Sequence, residues 1–101
     1  MQTVMMVYNL KKSVAVEDYK KYSIQVDQPL VNSLPSVKEF NVYFVIGPEK
    51  VWDIFETIVI DNWDKFVEET QTDEMIEADN EWRQWIDEDS LKIVFGEKIL
   101  K

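Results

Sequence analysis

Two predicted strands near the middle of the chain lack a polar face, and this feature most constrains the fold. The first runs from Val37 to Ile46 and the second from Val51 to Ile60, with a turn over 47–50. Apolar and aromatic side chains occupy both odd and even positions of each strand. An antiparallel sheet with one solvated face would alternate cleanly instead. The sheet is therefore predicted to be covered on both sides.

The other elements repeat the order strand, helix, strand. Together they predict an α+β, ferredoxin-like β-α-β-β-α-β fold with an antiparallel sheet and all helices on one face. The chain, residues 1–101, is interpreted as a single domain. The remaining predicted elements are a strand at Thr3–Leu10, a helix from Val16 to about Asp27, a short helical segment from Pro29, helices capped by Asp61 or Asn62 and by Thr72, and a strand at Leu91–Phe95.

Nothing in 101 residues is left to cover the second face of this sheet. A second copy of the chain, related by a two-fold axis, is the simplest cover. The sequence therefore predicts a homodimer, a dimeric α+β barrel. The alternative is a monomer with an exposed, aromatic-rich sheet.

Composition excludes several classes of function. The net charge of −9 disfavours binding to nucleic acid or to an anionic membrane. The chain has no cysteine and no histidine, so proton transfer must use Asp, Glu, Tyr or Lys. No metal-binding or phosphate-binding motif occurs, and neither a cofactor nor a metal is predicted. Without a signal peptide pattern or a long apolar run, a cytoplasmic location is expected.

Five short segments carry a resemblance to a known superfamily. They are Val16–Tyr19, Val26–Leu30, Leu34–Val37, Ile60–Trp63 and Ala78–Asp79. In these segments the chain resembles the dimeric α+β barrel superfamily, most closely its EthD-like group, and the RedY-like proteins of prodiginine pigment biosynthesis. EthD-like proteins commonly show His-x-Pro-Leu and then Leu-Pro-Gly. This chain has Asp27 in place of the histidine and Ser36 in place of the glycine.

The resemblance implies a pocket between the sheet and the helices of one subunit, and a small aromatic or pyrrolic ligand. It implies a cofactor-independent enzyme of secondary metabolism that acts on an aromatic or polycyclic intermediate of a pigment or polyketide-like pathway. Cyclisation or condensation, isomerisation and oxygenation are the reaction types it suggests. The alternatives are an accessory protein that binds or protects an intermediate without catalysis, and a structural dimer without a ligand site.

Two aspartates are the candidate catalytic residues. Asp27 lies where the first helix gives way to Pro29, and a buried carboxyl group with a raised pKa there would serve as a general acid or base. Its alternative role is a helix-end carboxylate that bonds backbone amides. Asp79 falls on an apolar helical stripe between Met75 and Trp82, where an unpaired charge is costly. Its alternatives are a position at the solvent edge or a pairing with tyrosine or lysine.

The candidate ligand-binding residues are mostly aromatic. Trp63, Trp82 and Tyr22 fall on inward helical stripes, where they form either a flat box for a planar ligand or ordinary core. Further candidates are Asn9 and Tyr8 at the end of the first strand and Tyr43 within the second; strand-end capping is the alternative for Asn9.

Glu56, another polar residue inside a strand, either lines a pocket or lies at the dimer interface, where Lys38 is its proposed partner.

Overall fold

Four antiparallel strands form the sheet of this protein. The structure is a computed structural model that describes residues 1–99. The strand order is β2-β3-β1-β4, and every neighbouring pair is antiparallel, as the ferredoxin-like prediction requires. The strands are β1 (Gln2–Leu10), β2 (Val37–Phe44), β3 (Ile54–Ile60) and β4 (Ile86–Gly96).

The helices lie on one face of the sheet and begin at the predicted caps. The side chain of Asn62 accepts the backbone N–H of Lys65 at 2.8 Å, and that of Thr72 accepts the N–H of Met75 at 3.2 Å. No helix within residues 1–99 combines the length and the apolar character needed to cross a membrane. The helices are α1 (Val16–Tyr22), α2 (Gln28–Asn32), α3 (Trp63–Glu69) and α4 (Asp73–Arg83), with a π-helical turn at Ser23–Asp27 between α1 and α2.

The first helical unit passes through Pro29 without a break. The N–H of Gln28 bonds the carbonyl of Ser23, five residues earlier, which is the hydrogen-bond pattern of a π-helix. Proline follows directly, in the first turn of α2. The two predicted helical segments are therefore present, but the backbone between them stays helical. The wider π turn ends at Asp27.

The connection between β2 and β3 is longer than the predicted turn. β2 ends at Phe44 rather than Ile46, and β3 begins at Ile54 rather than Val51. The reason is Asp53, whose carboxylate accepts the N–H of Leu10 at 3.0 Å while its own N–H donates to the Asn9 side chain at 2.9 Å. These bonds hold Asp53 against β1 at the point where the β3 ladder begins.

The last strand begins earlier than predicted. β4 starts at Ile86 rather than Leu91; Ile86 pairs with Leu10 and is fully buried, so it belongs to the sheet. The register between β1 and β4 then shifts at Asn9, whose N–H donates to the Ser90 hydroxyl at 2.7 Å. The acidic run 87–89 lies in β4, next to this irregularity.

The core consists of two apolar clusters with a polar residue between them. Along β3, Ile54 belongs to one cluster, Ile58 and Ile60 belong to the other, and Glu56 lies between. All four side chains are buried on the face that the helices cover. The first cluster contains Tyr8, Leu10, Tyr19, Tyr22, Ile54, Trp82 and Ile86, and the second contains Val4, Val37, Phe40, Ile58 and Ile60.

Ser36, the residue before β2, is hydrogen-bonded to α3. It is fully buried, and both its backbone N–H and its hydroxyl donate to the same Glu69 oxygen, at 2.9 and 2.7 Å.

We expect Glu69→Ala to lower the free energy of unfolding by about 2–3 kcal/mol, because two buried donors lose their acceptor. Urea unfolding measures this. Glu68→Ala, an exposed change on the same helix, is the control, and equal stability of the two variants would contradict the role assigned to Glu69.

Candidate functional site

A cavity of about 370 Å³ lies between the sheet and the helices. This volume is within the range of about 300–1,000 Å³ that is usual for small-molecule sites. The strands supply its floor, the π turn and α2 one wall, and α3 and α4 the other. Its lining is mainly apolar and includes the rings of Phe40, Trp63, Phe66 and Trp82; its charged residues are Asp27, Glu56, Asp79 and Arg83.

Glu56 is the polar group in the cavity floor. It is 2% exposed, and β3 points its side chain towards the helices, between the two apolar clusters. Its Oε2 accepts a hydrogen bond from the Tyr8 hydroxyl. Burial, followed by the charge of Asp27, raises the pKa of Glu56 to about 8, and the bond from Tyr8 partly opposes this rise. At neutral pH this residue is therefore mainly a protonated carboxylic acid.

A chain of hydrogen bonds lies behind Glu56. The indole N–H of Trp82 donates to the Tyr19 hydroxyl at 3.1 Å, and the Tyr19 and Tyr8 hydroxyls are 2.6 Å apart. The one hydroxyl hydrogen of Tyr8 is donated to Glu56, so the Tyr19 hydroxyl, which accepts from the indole of Trp82, donates to Tyr8. Burial raises the pKa values of both tyrosines, which stay protonated. The chain fixes the position of the carboxyl group and supplies a donor to it.

Asp27 is the second carboxyl group of the cavity. It ends the π turn, and no donor within residues 1–99 bonds its side chain. Burial raises its pKa to about 6. Asp27 therefore ionises before Glu56, and its negative charge then holds the Glu56 proton more firmly.

The two carboxyl groups are in opposite protonation states near neutral pH. Between pH 6 and 8, Asp27 is mainly a carboxylate and Glu56 is mainly a carboxylic acid. One group is ready to accept a proton and the other to donate one, in the same cavity. Pairs of acids whose surroundings separate their pKa values are the usual arrangement for general acid–base chemistry.

The cavity brings together some of the residues predicted from the sequence. Asp27, Trp63 and Trp82 line it, and Tyr8 lies one layer behind through its bond to Glu56. Asp79 lies at the rim, where its half-exposed carboxylate accepts the Nε–H of Arg83 at 2.8 Å. The apolar stripe reaches solvent at this point, so Asp79 belongs to an ion pair rather than to the buried acid pair.

Three predicted ligand-binding residues lie outside the cavity. Tyr43 points to the opposite face of the sheet and stacks on Phe55, with ring centroids 4.6 Å apart. Asn9 accepts the N–H of Asp53 and so caps the end of β1. Tyr22 stacks on Trp85 in the first apolar cluster, with ring centroids 5.1 Å apart. Their side chains serve packing and strand-end hydrogen bonding.

Glu56 was not among the catalytic residues predicted from the sequence. Its suggested partnership with Lys38 is wrong, since Lys38 pairs with Asp61 at 3.6 Å and Glu56 faces the helices. The signal was present in the strand pattern: Glu56 shares its face with Ile54, Ile58 and Ile60. A lone carboxyl group on the most apolar face of a central strand indicates a buried acid.

Comparisons with known proteins give the family. The sequence model of the family described as REDY-like protein HapK matches residues 2–99. The crystal structure of HapK from Hahella chejuensis has a TM-score of 0.84 and 18% identity, and covers 100% of this chain and 95% of that one. An EthD family protein from Bacillus halodurans has a TM-score of 0.75 and 15% identity, and the match covers 98% of this chain and 99% of that one. No curated protein matches the sequence.

Two further solved structures share the fold. A protein of unknown function from Bacteroides fragilis, described as dimeric and ferredoxin-like, has a TM-score of 0.73 and 17% identity, covering 96% of this chain and 95% of its own. SnoaB from Streptomyces nogalater, described as a cofactor-independent oxygenase, has a TM-score of 0.74 and 8% identity, and the match covers 99% of this chain and 94% of that one. At these identities the similarity shows the fold alone. The family match shows more: the chain belongs to the REDY-like protein HapK family.

Proposed function

We propose that this protein is a cofactor-independent enzyme of secondary metabolism that transfers protons on a flat aromatic or pyrrolic intermediate. The observation that supports this most is the pair of carboxyl groups, Asp27 and Glu56, in one aromatic-walled cavity. The family supports a role in secondary metabolism, and SnoaB provides an example of cofactor-independent chemistry on this fold. Condensation, cyclisation and isomerisation of electron-rich rings all require proton movement of this kind.

The roles of the two carboxyl groups follow from their protonation states. Glu56, as the acid, donates its proton to a ring carbon or a leaving oxygen of the ligand, and the ligand becomes cationic. Asp27, as the carboxylate, removes a proton from the ligand and restores its neutrality. Water at the mouth then returns a proton to Glu56 and takes one from Asp27. Trp63 and Trp82 hold the ring plane, and Tyr8 holds the Glu56 carboxyl group.

Deuterium exchange tests this proposal without knowledge of the natural substrate. Indole and 2,4-dimethylpyrrole are incubated with the protein in D₂O at pD 7, and the loss of ring C–H signals is followed by proton NMR. We expect faster exchange with the wild type, reduced about 100-fold or more in Glu56→Gln and Asp27→Asn, the range usual for one acid–base group. Asp79→Asn, which changes only the rim, is expected to retain the exchange.

Two outcomes would overturn the enzyme proposal. One is exchange that persists in both carboxyl variants, and the other is binding of the probes without any acceleration of exchange. Saturable quenching of tryptophan fluorescence by 2,4-dimethylpyrrole, lost in Trp63→Leu, reports the binding. Binding without exchange would indicate an accessory protein that holds an intermediate.

We also propose that two copies of the chain pair through the face of the sheet that the helices leave open. Apolar side chains occupy this face in the centre of the sheet, where Met5 lies between Thr57 and Val94 in the strand register. An apolar surface of this kind is usually an interface. The open-face apolar residues are Met5, Val7, Tyr43, Phe55, Val59 and Val94.

A charge at the centre of the open face is expected to separate the copies. In Met5→Lys the ammonium group would be buried near its copy across the two-fold axis, so sedimentation analysis should find a monomer. Ile24→Lys places the same charge on an exposed apolar residue of the helical side, 65% exposed, and should remain dimeric. A dimeric Met5→Lys protein, or a monomeric wild type, would contradict this assembly.

A further inference from the structure

The charges around the cavity are unbalanced. Four charged residues line it, and three of them are acidic: Asp27, Glu56 and Asp79. The fourth, Arg83, donates from Nε to Asp79 at 2.8 Å and from a terminal nitrogen to Glu88 at 2.8 Å. Both acceptors lie at the rim or outside it. The arginine therefore pairs with neither of the two inner carboxyl groups, and its guanidinium carbon lies 5.8 Å from the centre of the Trp82 ring. No other cation within residues 1–99 lines the cavity.

The inner carboxyl groups have unused capacity to accept hydrogen bonds. Glu56 receives one bond, from Tyr8 to Oε2, and Asp27 receives none from residues 1–99. A carboxylate has about four acceptor sites. Thr70 and Gln71 are the remaining polar lining residues, and they lie in the α3–α4 connection. The two inner carboxyl groups therefore keep acceptor sites that no donor of residues 1–99 fills.

Aromatic faces form the rest of the recognition surface. Trp63 packs against Phe66, with ring centroids 5.5 Å apart, and Trp82 is on the same α3–α4 side of the cavity. Indole faces attract cations through the ring quadrupole, more strongly in a desolvated site. A positive charge placed among these rings would also meet the two carboxyl groups.

We infer that this cavity binds its ligand most tightly as a flat aromatic cation with N–H donors, such as a protonated heterocycle or iminium group, the form that the ligand takes once Glu56 has given up its proton. Its N–H groups meet the Asp27 and Glu56 oxygens, and its ring plane lies against Trp63 and Trp82. Anionic ligands are disfavoured, since they would face the carboxyl groups while the one lining cation, Arg83, is already paired with Asp79 and Glu88. This inference rests on the proposed function, because it assigns the ligand class of the same site.

Three probes with the same three-ring frame test the inference. They are 9-aminoacridine, a cation; acridine, which is neutral at pH 8; and 9-anthracenecarboxylate, an anion. Isothermal titration calorimetry at pH 8 is expected to give the cation about tenfold or more tighter binding than acridine, and no binding of the anion. Similar affinities for the cation and acridine, or binding of the anion, would overturn the inference.

The overall negative charge of the protein requires a matched control. The double variant Asp27→Asn/Glu56→Gln should lose the preference for the cation but keep its affinity for acridine. Asp64→Asn/Glu68→Gln removes the same charge from the exposed face of α3 and should leave the preference unchanged. Equal losses in both double variants would assign the preference to the surface field and overturn the inference.

The dependence on pH gives a separate readout. Affinity for 9-aminoacridine should rise between pH 5 and 8 as Asp27 and then Glu56 ionise, with Tyr8 remaining protonated and Arg83 remaining paired to Asp79. A flat profile would overturn the inference. The result is independent of the deuterium-exchange test: a cation preference without exchange refutes the enzyme proposal alone, and exchange without a cation preference refutes the ligand class alone.

Discussion

Glu56→Gln is expected to stabilise the protein increasingly as the pH rises from 4.5 to 8. Unfolding returns the Glu56 pKa from about 8 to its ordinary value of 4.5, so within this range the folded state holds a proton that the unfolded state releases. The wild type therefore loses stability as the pH rises through this window. The shift corresponds to a loss of at most about 5 kcal/mol. Glutamine carries no proton to lose and still accepts the Tyr8 hydroxyl.

Urea unfolding of the wild type and the variant at pH 4, 6 and 8 measures this effect. Their free energies of unfolding should be similar at pH 4 and diverge by several kcal/mol, roughly 3–5, by pH 8. The raised pKa of Asp27 causes a smaller loss of stability between pH 3.8 and about pH 6, and this loss remains in both proteins. Glu68→Gln, on the exposed side of α3, is expected to follow the wild type. Parallel curves for Glu56→Gln and the wild type would show that Glu56 is ionised and solvated.

Tyr8→Phe is expected to produce the second large effect. The Tyr8 hydroxyl lies fully buried between Glu56 and Tyr19, so its removal deprives the carboxyl group of its donor and the Tyr19 hydroxyl of its acceptor. We expect a loss of about 1–3 kcal/mol in stability, because two buried polar groups lose partners. We also expect the Glu56 pKa to rise further, since the bond from Tyr8 lowers it.

The same change at Tyr22 is the control. Tyr22 is buried in the same cluster and stacks on Trp85, but its hydroxyl makes no hydrogen bond within residues 1–99. Tyr22→Phe should therefore change stability little and leave the pH dependence as in the wild type. If the two phenylalanine variants behave alike, the hydrogen-bond chain does not hold Glu56.

The fold was predictable because local patterns and the global topology agree. The lack of a polar face in the central strands and the caps at Asn62 and Thr72 all favour one arrangement. The errors are in the predicted strand boundaries, next to places where side chains bond the backbone amides of a strand. The Asp53 carboxylate accepts an N–H of β1, and β3 begins later than predicted; β4 begins at Ile86, before the predicted start at Leu91.

The candidate site was only partly predictable for a different reason. The two cavity tryptophans were found because helical spacing places them on inward stripes. Asp27 was found because it lies at the end of the first helix, in the position of the histidine of EthD-like proteins. Glu56 required a choice between two faces of β3, and periodicity identifies the faces without showing which one the helices cover. Tyr43 was assigned to the site through the same ambiguity, and the structure places it on the open face. Asp79 fits the apolar spacing, but its pairing with Arg83 depends on exposure.

The most direct test of this account is a carbon-13 NMR titration of the glutamate carboxyl groups, with Glu56 identified by its absence in Glu56→Gln. The account predicts that one glutamate titrates near pH 8, well above the others, and that its pKa falls in Asp27→Asn because the neighbouring charge is removed. A Glu56 pKa near 4.5 would contradict it. Glu56 would then be an ordinary solvated carboxylate, and the cavity would lack the acid on which the proposed proton transfer depends.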